Sequence, residues 1–97
     1  MMETTFRALA EPNRFQTVEL LRAGPRPVGD MVDRLRLRQP QVSKHLRVLK
    51  QAGIVEVKPD GTRREYHIVK AFRERLKREG NVLDFGCCSF RFDQLPD

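Results

Sequence analysis

Apolar residues along this chain recur at three- and four-residue spacing in five stretches and alternate with polar ones in a sixth. Phe6 and Leu9 predict a short helix over residues 4–10. Pro12 suits the first turn of a second helix, where its missing N–H is not needed. Phe15, Val18 and Leu21 follow on one face, with Leu20 beside them. "RAGPRP" ends that helix, because Gly24 can take a left-handed cap and Pro25 cannot continue the ladder. Met31, Val32 and Leu35 predict a third helix over 28–35, and "RLRLR" predicts the turn after it. A fourth helix runs over 39–52 and is closed by Gly53. Its apolar stripe is Val42, Leu46 and Leu49, broadened by Val48.

"IVEVKPDGTRREYHIV" alternates on both sides of "PDGT", a hairpin signal in which Asp60 and Gly61 tolerate positive φ. Val69, Phe72 and Leu76 mark a fifth helix over 69–79, stopped by Gly80. "NVLDFGCCSFRFDQLPD" has no helical period. Its middle reads as one strand, with Phe85, Cys87 and Ser89 alternating with Gly86, Cys88 and Phe90. The chain thus divides into a helix-and-hairpin domain over 1–80 and an extended tail over 81–97, a candidate strand to pack on a dimer. The fold class is mainly α with a β-hairpin (α+β).

The charges on the fourth helix change the picture. Its other faces carry Gln39, Gln41, Ser43, Lys44, Arg47 and Lys50, and five basic residues but no acidic one lie between Arg36 and Lys50. A solvated helix face usually mixes signs for i,i+4 pairing. One-signed charge is what phosphate binding requires. Glutamine can read adenine edges, and serine can contact bases or phosphates. A helix start adds free N–H groups and a positive dipole end. The whole chain agrees, with a formal net charge of +6 and a pI near 10.0. Such an excess points to an acidic partner, and nucleic acid is the commonest one.

The order helix–turn–helix–hairpin is that of the winged helix-turn-helix, and here the chain resembles the ArsR/SmtB-type family of bacterial repressors. The resemblance spans residues 8–68 and is sharpest in "QPQVSKHLRVLKQAGIV" and "DGTRREYHI". It implies a homodimer built on the first and last helices, with Phe6, Leu9, Phe72 and Leu76 as the pairing surface. It also implies a recognition helix in each of two major grooves of an inverted-repeat operator, and a wing on the flanking backbone. Gln39, Ser43 and Lys44 fall where the family contacts bases and phosphates, and Arg63 and Arg64 fall on the wing. Arg38, Gln41 and Arg47 complete the DNA-binding set. Tyr66 matches a family tyrosine and is expected to be a packed aromatic with its hydroxyl tied off. A repressor of this kind acts sterically, by occupying an operator that overlaps a promoter.

The chain also departs from the family. Arg38 stands where the family has a serine cap, and it cannot accept from the helix N–H groups. "RPVGDMVDRLR" has no cysteine, and "VKAFRERLKREG" has no histidine or acid cluster at ligand spacing, so the metal-sensing sites are missing. His45 and His67 are the only histidines and read as packing or phosphate contacts, not as part of a four-ligand zinc site. Glu11, Glu19 and Asp30 are scattered, and no catalytic motif is present. The expectation is a binding protein without metal or cofactor, not an enzyme.

Two alternatives remain open. One is a thiol-based redox or soft-metal switch using Cys87 and Cys88. The other is a winged helix for protein contacts, which would need exposed apolar residues where Lys44 and Arg47 sit. Two adjacent cysteines make no disulfide framework. No apolar run approaches the ~18 residues of a membrane span, and the start lacks the blocks of a signal peptide. The expected location is the cytoplasm.

Overall fold

The structure, a computed structural model, describes residues 2–61, 63–86 and 89–92, and for Met2, Glu3 and Asp60 only the backbone. Five helices and five strands follow in the order α1 (Met2–Leu9), α2 (Pro12–Arg22), β1 (Arg26–Pro27), α3 (Val28–Leu35), α4 (Gln39–Gln51), β2 (Val55–Asp60), β3 (Arg63–Ile68), α5 (Lys70–Arg78), β4 (Val82–Asp84) and β5 (Ser89–Arg91). Helix boundaries fall within two residues of those read from periodicity. β1 has no counterpart in the sequence pattern, since two residues are too few to show alternation. It adds to the free side of β3, with Arg26 opposite Tyr66 and Pro27 opposite Glu65, giving an antiparallel sheet in the order β1-β3-β2. At an edge, Pro27 removes no ladder bond from the interior of the sheet.

The helices meet over one core. Val18, Leu21, Met31, Val42, Leu46, Leu49 and Ile54 are buried in it, and Val55 and Ile68 seat the sheet on it. Thr17 is buried among them with its hydroxyl donating to the Asn13 carbonyl at 2.7 Å, so it brings no orphan polar group inside. Glu11 caps α2, its carboxylate accepting the Arg14 backbone N–H at 2.9 Å.

The tail is a hairpin, not one strand through residues 85–90. β4 and β5 pair antiparallel, with Asp84 opposite Ser89. Gly86 turns with φ 88°, its N–H donating to the Asp84 carboxylate at 2.8 Å. Cys87 and Cys88 lie outside the described residues. The hairpin inserts Leu83 and Phe92, both fully buried, into the core. Phe92 stacks on Phe15 at 4.7 Å between ring centroids, and Phe6 meets Phe85 and Phe90 edge-on at 5.5 and 5.9 Å.

The burial of the expected pairing residues within one chain bears on that surface. Leu9, Leu76 and Phe72 are only 1%, 3% and 6% exposed within a single chain. They belong to the same buried cluster as Leu83 and Phe92 of the hairpin. Of the four residues, only Phe6 stays half-exposed.

One ionic link ties the sheet edge to α3. The Asp30 carboxylate accepts from Arg26 at 2.7 Å and from Arg34 at 3.1 Å. The Arg26 hydrogen bond, helped by the charge of Arg34, holds the carboxyl below its ordinary range against the opposing effect of desolvation. A lowered folded pKa means stability that is present above the unfolded value, near pH 4, and lost as the pH falls through the folded one. Asp30→Asn should lower stability at pH 7 by no more than about 1 kcal/mol, since the pair is screened by solvent. The deficit should vanish near pH 2, as read from urea midpoints at the two pH values.

Candidate nucleic-acid interface

α3 and α4 form the helix–turn–helix. Arg36 closes α3 in the left-handed conformation, with φ 57° and ψ 42°, which turns the chain within residues 36–38. Arg38 is the N-cap of α4, extended, with no side-chain cap bond. The expected loss of a cap is half made good. Gln41, three residues on, accepts the Arg38 backbone N–H on its side-chain oxygen at 3.0 Å. That bond uses one lone pair of the Gln41 side-chain oxygen and leaves its amide N–H groups without a partner among the described residues.

At 3.6 residues per turn, α4 has three functional sides. Val42, Leu46 and Leu49 are buried. Lys44 and Arg47 stand exposed on the opposite side. Gln39, Ser43 and Lys50 lie on the flank between, spaced four and seven residues apart, with Ser43 half-buried. Lys50 lies outside the DNA-binding set that the sequence singles out. His45 turns to the other flank. It is 15% exposed, with Nδ1 3.5 Å from an Arg14 terminal nitrogen and 4.0 Å from a Glu11 oxygen. Arg14 also donates to the carbonyls of Ala8 and Arg7, so this contact docks the recognition helix on the α1–α2 junction. His45 therefore packs on Arg14 and Glu11.

The wing has two unlike faces, set by the alternation of strand side chains. One row pairs Val55 with Ile68, Val57 with Tyr66 and Pro59 with Arg64. Val55 and Ile68 are core, so Tyr66 and Arg64 continue the helix-facing row outward. The other row pairs Glu56 with His67, Lys58 with Glu65 and Asp60 with Arg63. Every pair in it matches an acid with a base, and the first closes to 2.9 Å. The two wing arginines thus differ. Arg64 stands with Tyr66 on the side of α4, while Arg63 stands on the outer row, away from α4.

A groove of about 460 Å³ lies beside that outer row, lined by Lys58, Lys70 and Arg73 but also by Glu56 and Glu65. Its mixed signs suit a polyanion poorly. Among the described residues no three of His, Cys, Asp and Glu come together as a metal site needs. No helix among them is long and apolar enough to cross a membrane.

A helix–turn–helix with an exposed basic second helix and a β-hairpin beside it is a winged helix-turn-helix DNA-binding domain. The model of bacterial regulatory proteins of the arsR family matches residues 11–57, from the cap of α2 into β2. An uncharacterized HTH-type transcriptional regulator of Methanocaldococcus jannaschii is 40% identical over 80 residues, covering 81% of this chain and 86% of its own length. The HTH-type regulator Rv2034 of Mycobacterium tuberculosis is 42% identical over 66 residues. There the match covers 68% of this chain, which spans only 62% of that protein. Among solved structures, the homodimeric winged helix-turn-helix domain Mb0332 of Mycobacterium bovis, described as a possible ArsR-family regulator, superposes with a TM-score of 0.72. It is 31% identical over 80% of this chain and 72% of its own. The chain belongs to the arsR family of bacterial regulatory proteins, and it is a DNA-binding transcriptional regulator, not a member of an enzyme family.

Proposed function

We propose that the chain is one half of a two-fold repressor that binds an inverted-repeat operator in the cytoplasm and excludes polymerase from an overlapping promoter. The observation that carries this is the exposed face of α4, where Lys44 and Arg47 stand without an ion-pair partner among the described residues beside Gln39 and Ser43, with Arg64 on the adjoining wing row. A protein-contact wing would carry apolar residues at those positions. Relatives in the family are named as repressors, which is consistent with the steric mechanism.

Dimerisation follows from how little one chain can read. The 13 residues of α4 span about 20 Å, a few base pairs. Two such helices related by a two-fold axis meet half-sites about 34 Å apart. With Leu9, Phe72 and Leu76 in the core, the pairing surface is assigned to the half-exposed aromatic rings of α1 and the tail hairpin, Phe6, Phe85 and Phe90. The tail then acts with the domain it packs on, as a strand pair at the dimer surface.

The test is selection of bound duplexes from a random pool. Gln39→Ala and Ser43→Ala should each change which bases are enriched, because base contacts specify and phosphate contacts only position. Removing one side chain that reads a base should take away about 1–3 kcal/mol of discrimination at that position. Two variants that enrich the same half-site as the wild type would show that α4 does not read the operator through this flank.

A further inference from the structure

We propose that the cleft between α4 and β3 seats a single phosphate of the DNA backbone, held by the Tyr66 hydroxyl and the Lys50 ammonium together with Arg47, while Ser43 at its edge is left to the bases. The proposal rests on the DNA-binding reading and names a contact within it. The cleft is a concavity of about 230 Å³ lined by Ser43, Leu46, Arg47, Lys50 and Tyr66. Its wall from α4 repeats at three, four and seven residues from Ser43, which is one helical stripe facing the wing. Its other wall is the helix-facing row of β3, where Tyr66 sits between core Ile68 and exposed Arg64.

The chemistry of the lining is one-sided. Leu46 is buried and forms an apolar floor. Above it stand two cations and two hydroxyls, and no carboxylate lines the cleft. All four polar groups can donate to a phosphate oxygen. The sequence leads one to expect a Tyr66 hydroxyl tied off by the protein. Among the described residues it has no hydrogen-bond partner, and neither Arg47 nor Lys50 has an ion-pair partner. A half-buried tyrosine that lines one cleft with two cations lacking ion-pair partners among the described residues makes a place for an anion. The wing's outer groove offers the internal contrast, since its cations already face Glu56 and Glu65.

The experiment measures affinity by fluorescence anisotropy for the selected operator and for a random-sequence duplex, across a salt series, with the full chain. Tyr66→Phe keeps the ring and its packing and removes only the donor. It should weaken both duplexes by the same factor, about tenfold or more for a dimer, with the salt slope unchanged because no charge is removed. Lys50→Gln should weaken both and reduce the slope by about one per protomer. Operators carrying a neutral methylphosphonate at the same position of both half-sites should include one that weakens wild type at least as much as Tyr66→Phe does, and at that position the variant should lose less than wild type because the tyrosine's share is already gone. If Tyr66→Phe binds both duplexes like wild type, the seat is overturned, while a steep wild-type slope keeps the DNA-binding reading intact. If only the operator is weakened, Tyr66 reads a base and the phosphate assignment falls. If wild type itself lacks salt-dependent binding, both fall.

Discussion

Raising the salt from 50 to 200 mM should weaken operator binding roughly 10⁴-fold. The size of the effect follows from the cations of α4 and its adjoining wing row that have no ion-pair partner among the described residues. Lys44, Arg47 and Lys50 on α4 and Arg64 on β3 make four per chain and eight in a dimer. Each phosphate neutralised contributes about −0.9 to the slope of log affinity against log salt, so eight give a slope near −7. The wing then supplies an internal control. Arg64→Ala should flatten the slope by about one per protomer and weaken all sequences alike. Arg63→Ala should do less, since Arg63 stands on the outer row of the wing, away from α4. Equal effects of the two variants would mean that the wing lies on DNA by its edge and not by its helix-facing row. A flat salt dependence in the wild type would remove the phosphate-binding account altogether.

α4 and its one-signed outer face were legible because each leaves a separate mark in sequence. The buried stripe of Val42, Leu46 and Leu49 has the helical period, and the absence of any acid between Arg36 and Lys50 marks the anionic partner. The faces of the wing were legible too, though only through parity. Arg64, Tyr66 and Ile68 share one face of a strand, and Ile68 tells which face is inward. Gln41 stands at the third helical position, where a glutamine can close the cap from its own side, but the missing serine at Arg38 draws attention to the other half of that motif. β1 leaves no mark, because its two residues pair only by virtue of where α2 and α3 place them. The tail misleads for a related reason. Leu83 and Phe92 reach the core from a segment without helical period, so nothing in local pattern says that they cover the surfaces of α1 and α5.

Leu76→Glu should therefore unfold the chain and not produce a folded monomer. Leu76 is 3% exposed and belongs to the cluster that includes Ile68, Phe72 and Leu83. Truncating such a leucine typically costs about 2–5 kcal/mol, and placing a carboxylate there adds the penalty of an unpaired buried charge. A domain of this size has about 5–15 kcal/mol of stability in total, so the sum reaches the whole of it. Phe90→Glu is the informative partner. Phe90 is half-exposed and touches Phe6, Phe15 and Phe85 through ring edges and faces at 5.8–5.9 Å, so replacing it disturbs the rim and leaves the core in place. That variant should keep its helical circular dichroism and a cooperative melt, sediment as a monomer at micromolar concentration, and bind operator weakly. Leu76→Glu should show neither a cooperative melt nor operator binding. A cooperatively folded, monomeric Leu76→Glu would mean that α5 presents an open face in solution and that the tail hairpin does not cover it. A dimeric Phe90→Glu would move the pairing surface away from the aromatic rings of α1 and the tail.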